Sequence, residues 1–128
     1  MIRSLAASPT RRVALMCGLA FFVYGGWAYG VNLGHGAAVA RAAGLAQGVS
    51  STISTLIITS LIELCLKAFG RQRGGWLLAW LVPPTLTGLM HAAFQWAVGT
   101  PEIVLTVLFS VVMGYGFAGV YVRGVLRL

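Results

Sequence analysis

The sequence predicts an all-α integral membrane protein, a four-helix bundle in one domain over residues 1–128, and three observations predict it. Hydrophobic residues make up 59% of the 128-residue chain and charged residues only 9%, against about a quarter charged in soluble domains. Four apolar runs, at about 13–31, 48–68, 76–98 and 102–122, are each long enough for the ~20 residues that cross a ~30 Å hydrocarbon core. The nine basic residues stand in small groups at the ends of those runs.

That placement decides what the formal charge of +7 means. A nucleic-acid partner requires a basic stripe or cluster, and none is present, so the expected partner is the lipid bilayer. With the N-terminus cytoplasmic, Arg3, Arg11, Arg12, Lys67, Arg71, Arg73, Arg123 and Arg127 fall on the cytoplasmic side and only Arg41 on the other. This is the bias of the positive-inside rule. Both termini are therefore expected in the cytoplasm, with Trp76, Trp80 and Tyr121 at the inner interface and Trp27, Tyr29 and Trp96 at the outer. Compact loops and this charge bias suggest a multi-pass protein of a bacterial inner membrane.

The first run, 13–31, could open a secretory signal, but a cleavage site at 38–40 lies too far beyond it for normal processing; a retained helix is expected. The second, 48–68, is entered through a small-residue stretch from Gly36 to Gly48, either a helical extension or an interfacial helix. The third, 76–98, contains Pro83-Pro84, which removes two N–H donors and predicts a kink or unwound turn. Only Gly99, Thr100 and Pro101 separate it from the fourth, 102–122, so helices 3 and 4 are expected to form a tight antiparallel hairpin. Cys17 and Cys65 fall inside spans without CxxC spacing and read as buried structural thiols.

On a helical wheel of the second run, Ile53, Ile57, Leu61 and Leu64 gather on one side. Thr52, Thr55, Thr59 and Glu63 gather on the other, with Gln47, Ser51 and Ser54 widening the polar arc. A carboxylate at membrane depth costs at least about 2.5 kcal/mol and usually faces a bundle interior or a wet cavity. Glu63 could instead pair with Lys67 one turn on. Thr87, His91 and Gln95 follow at four-residue spacing in the third run. Thr55, Thr59, Glu63, Thr87, His91 and Gln95 are accordingly the candidate substrate or proton pathway.

His35, His91 and Glu102 are expected to form a polar cluster at the outer face, and Thr100-Pro101-Glu102 resembles a capped helix start. Two His and one carboxylate can hold zinc, but no HxxxH or HExxH spacing is present; a metal-free cluster is expected, and no cofactor. Gly18, Gly26, Gly30 and Gly34, and Ser110, Gly114 and Ala118, recur at four- or eight-residue spacing. They supply small-residue faces for packing within one chain or between chains, with Gly26, Gly30, Ser110 and Gly114 the leading positions. A homo-oligomer or a larger membrane complex is expected.

No nucleophile elbow, phosphate loop or acidic metal pair occurs, and the two carboxylates are predicted at opposite membrane depths, so enzyme chemistry is not expected. The sequence points to a small transport or flippase-like protein for a small or lipid-linked substrate. The alternative is a non-catalytic accessory subunit that uses the same polar stripe to bind a larger membrane complex.

Overall fold

The computed structural model describes residues 9–70 and 72–127; Arg3 and Arg71, two of the basic residues used for orientation, lie outside them. Four helices account for nearly all of the described chain: α1 (Pro9–Asn32), α2 (Ala37–Phe69), α3 (Arg73–Ala97) and α4 (Ile103–Arg127), with a 3-10 turn at Leu33–His35 after α1. All four are long and apolar enough to span a membrane, which makes this a multi-pass membrane protein. Large apolar side chains point outward, as a lipid-facing surface requires: Phe22, Val104 and Val120 are each more than three-quarters exposed.

The small-residue stretch before the second span is helical, so α2 runs for 33 residues, about 50 Å at 1.5 Å per residue. Alanine, the best helix former, dominates that extension. Ala40 and Ala43 are fully buried there. Their small side chains bring α2 close to its neighbours.

The helices are arranged in sequence order around the bundle. α2 packs along both α1 and α3, and α3 along α4; α1 meets α4 over a much smaller area and, among the described residues, does not meet α3. Along the α3–α4 seam residue numbers run in opposite senses, a Cβ at Gly88 falling beside Val111, one at Gly114 beside Pro84 and one at Gly119 beside Trp80. α3 stays helical through Pro83 and Pro84, so the unwound turn does not occur. Thr85 Oγ1 donates to Leu81 O at 2.6 Å. At the end of α3, Gly99 adopts φ +72°, a left-handed conformation open to glycine at little cost, and its N–H donates to Trp96 O.

Closest approach between α1 and α2 uses glycines other than the ones singled out by spacing. A Cβ at Gly25 would stand 2.9 Å from Gly44 O, and one at Gly48 would stand 2.8 Å from the Phe21 ring; Gly26 and Gly30 have nothing within 4 Å and face out of the bundle. Ser110 and Gly114 do face inward, against Gln47 and Pro84 respectively.

The core is divided by polarity along its length. At the end where α1 begins and α4 finishes it is apolar, built from Ile58, Ile62, Leu66, Ala79, Ala118 and Val122. Toward the end carrying His35 and Glu102 the buried side chains are polar: Asn32, Gln47, Ser50, Gln95 and Thr106 are each fully inaccessible. Lipid supplies no hydrogen bonds, so these groups must satisfy one another.

Candidate functional site

Where α1 and α4 part, a cleft opens. The two helices meet near the His35–Glu102 end: Trp27 Nε1 donates to Leu105 O at 3.1 Å, Tyr24 and Trp27 lie against Phe109, and Asn32 Nδ2 donates to Thr106 Oγ1 at 2.8 Å. Toward the start of α1 they separate, leaving a cleft of about 510 Å³ between α1, α2 and α4, lined on α1 from Arg12 to Tyr24, a length of about 18 Å. This volume is within the range of small-ligand sites, roughly 300–1,000 Å³. One wall is apolar, including Met16, Ala20 and Val23 of α1 and Met113 of α4. The other carries Ser51, Ser54, Thr55 and Thr59 of α2, with Ser110 and His91 at the deep end and Arg12 at the mouth.

Behind the deep end lies a continuous hydrogen-bond network. Thr100 Oγ1 donates to Gln95 Oε1. Gln95 Nε2 donates to Ala43 O and to Gln47 Oε1, each at 3.0 Å. Gln47 Nε2 donates to Ser110 Oγ at 2.6 Å and, at 3.5 Å, to Ser51 Oγ. Ser50 Oγ lies 2.8 Å from His91 Nδ1 and 3.2 Å from Gln47 O. The network therefore joins α2, α3, α4 and the α3–α4 turn. Asn32 Oδ1 is buried without a partner among the described residues.

The residues expected to form one pathway are distributed over several environments. Thr55, Thr59 and His91 line the cleft. Gln95 is at the centre of the network behind it. Thr87 is buried and its hydroxyl turns back to Pro84 O of its own helix at 3.2 Å. Glu63 lies outside the cleft, on the exposed surface beside the last turns of α4, where Tyr121 Oη donates to its Oε1 at 2.9 Å; it is Tyr121, rather than Lys67, that bonds it. The Thr55 hydroxyl donates to Ser51 O one turn back, which removes it as a free interhelical donor; that of Thr52 lies 3.0 Å from Gly48 O of its own helix and 3.5 Å from Cys17 O of α1.

The outer cluster divides as well. His35 Nε2 lies 3.2 Å from Glu102 Oε1, with both side chains nearly half exposed, and the pair ties the α1–α2 turn to the α3–α4 turn. His91 is elsewhere, bonded to Ser50 in the interior. Among the described residues no three His, Cys, Asp or Glu side chains converge as metal ligands would. Thr100 does not cap α4, which begins at Ile103; its hydroxyl reaches back to Gln95, and Glu102 O accepts the first helical N–H, from Thr106. Cys17 and Cys65 are free thiols.

Sequence patterning underweighted Gln47, Ser50, Ser51 and Ser110, the side chains that form the deep end of the cleft or stand behind it. For Gln47 and Ser51 the signal was present in a three- and four-residue spacing along α2: Ala40, Ala43, Gln47 and Ser51 are all under 9% exposed.

Fold and site together define a multi-pass, four-helix membrane protein with a lateral cleft backed by a buried polar network. No protein family, curated protein or solved structure matches the chain.

Proposed function

We propose that the chain is a small transport or flippase-like protein of a bacterial inner membrane, holding a lipid-linked or amphipathic substrate in the α1–α4 cleft. The observation that carries this reading is the cleft's composition: one wall apolar, the other bearing hydroxyls, with its long side between two helices that face lipid. An amphiphile satisfies both walls at once. A small polar solute would leave the α1 wall poorly matched.

In this reading both termini are cytoplasmic and α3–α4 is an antiparallel hairpin, so the cleft opens toward the inner leaflet. It is sealed toward the outer one by Trp27–Leu105, Asn32–Thr106 and His35–Glu102. Transport requires those contacts to part while the inner mouth closes, which is alternating access at a site near midplane. The role is one of transport rather than catalysis. Glu63 and Glu102, the two carboxylates, stand at opposite ends of the bundle and serve no common acid–base site.

Native mass spectrometry of the chain extracted in a lipid-preserving polymer tests the reading. Wild-type protein is expected to retain lipid. Ala20→Phe, which fills the cleft from its α1 wall, is expected to lower the retained fraction at least about tenfold with assembly unchanged; a difference of that size reflects about 1.4 kcal/mol. Wild-type protein without bound lipid would sink the proposal.

The accessory-subunit reading is favoured by a different observation. Gly26 and Gly30 face outward on α1 with open space before them, a surface that a second helix could approach closely. A stoichiometric unrelated membrane protein in the same spectra would select it. A self-only oligomer would leave the transport reading in place.

A further inference from the structure

The direction of the buried hydrogen-bond network specifies the head of the lipid. Ala43 O can only accept, so the Gln95 amide that bonds it must present Nε2 there, and Gln95 Oε1 is left to accept from Thr100. The same Nε2 meets Gln47 Oε1, so Gln47 must turn its own Nε2 toward Ser110 and Ser51. Both serines therefore receive a hydrogen bond from behind. Neither hydroxyl donates to any group among the described residues, and both side chains line the cleft while being at least nine-tenths buried. Their O–H groups are donors without an acceptor.

His91 supplies the complement. Ser50 uses both of its contacts when its hydroxyl donates to Gln47 O and its oxygen accepts from His91 Nδ1–H. In that tautomer the other ring nitrogen, Nε2, carries a lone pair and no proton. The deep end of the cleft thus offers two O–H donors and one nitrogen acceptor. Among the described residues no Lys or Arg lines it, and the one cation lining the cleft, Arg12, is at the mouth.

From this pattern we infer that the cleft takes a glycolipid by an uncharged sugar head, seated against Ser110, Ser51 and His91, with its chains leaving between α1 and α4. A sugar hydroxyl both accepts and donates, which matches the donor–donor–acceptor floor. A carbonyl-only head leaves His91 Nε2 unmatched. A phosphate head leaves its charge desolvated without a cation, at a cost that excludes it from the deep end. The inference rests on the lipid-cleft reading above and assigns the head group within it.

The full chain in phosphatidylcholine nanodiscs, titrated with monoglucosyl diacylglycerol, diacylglycerol or phosphatidic acid and read by native mass spectrometry, tests the assignment. The glucosyl lipid is expected to be retained at least about tenfold over either of the others. Ser110→Ala is expected to weaken it about fivefold, the worth of one neutral hydrogen bond, and Ser110→Thr, which keeps the donor, to restore it. Equal retention of glucosyl lipid and diacylglycerol, both lost in Ala20→Phe, would overturn the sugar assignment and leave the lipid cleft standing. Preference for phosphatidic acid, abolished by Arg12→Gln, would overturn it by placing the head at the mouth. Retention of none of the three by the wild type would remove the cleft reading itself.

Discussion

Replacing Gln95 by leucine is expected to lower the stability of the bundle by about 2 kcal/mol. Gln95 makes three side-chain hydrogen bonds, to Ala43 O, Gln47 Oε1 and the Thr100 hydroxyl, and they tie α3 to α2 and to the turn that leads into α4. Interhelical hydrogen bonds in membranes average about 0.6 kcal/mol each, so three of them sum to roughly 2 kcal/mol. Leucine is close to glutamine in size, so the loss reflects hydrogen bonding and not a void. The buried partners left behind add to the cost. Thr52→Val is the matched control. Its hydroxyl is bonded chiefly within its own helix, and its replacement is expected to change stability by less than about 0.5 kcal/mol. Unfolding of the two variants in bicelles measures the difference; equal stabilities would mean that the polar core is not a cooperative network. Because Gln95 also fixes the direction of the Gln47 amide, Gln95→Leu should loosen the floor of the cleft as well.

The architecture was legible in the sequence because span length and apolar content are long-range averages that survive small errors of register. Faces and contacts are not averages. The line Thr55, Thr59, Glu63 advances by four residues per step, about 40° beyond a full turn each time. Begun at Ser51, which is 2% exposed, it has moved to the cleft wall by Thr55 and Thr59 and has reached the exposed surface by Glu63. The buried face of α2 instead runs from Gln47 to Ser51, crosses seven residues to Ile58, two turns on, and continues through Ile62 to Leu66, changing from polar to apolar as it goes. A stripe defined by polarity alone left the core where the core itself became apolar. Asn32 and Thr106 escaped notice for another reason: each is a single polar residue near the end of an apolar run, and their meeting across 74 positions has no local signature.

Packing between α1 and α2 raises the same question of register, and a pair of adjacent glycines answers it. Spacing favoured Gly26 with Gly30, yet Gly25 is the residue at the contact, facing Gly44 and Gly48, themselves four apart. A Cβ at Gly25 would stand 2.9 Å from Gly44 O and 3.5 Å from Gly48 Cα. Both are backbone atoms, and no side-chain rotation relieves the contact, so the helices must move apart. Overpacking of this kind costs about 1–3 kcal/mol. Alanine also gains as much as ~1 kcal/mol of helix propensity over glycine, but Gly25 and Gly26 both lie within α1, so this gain cancels between them. Gly25→Ala is therefore expected to be about 2 kcal/mol less stable than Gly26→Ala, as read by thermal unfolding in one detergent. Equal midpoints would mean that α1 does not meet α2 in this register. The consequence extends to function, because α1 supplies most of the apolar side of the cleft and α2 most of its hydroxyls. Moving α1 outward at Gly25 shifts Ala20 and Val23 away from Ser51 and Thr55, so Gly25→Ala should also weaken lipid retention, although Gly25 itself is not among the lining residues.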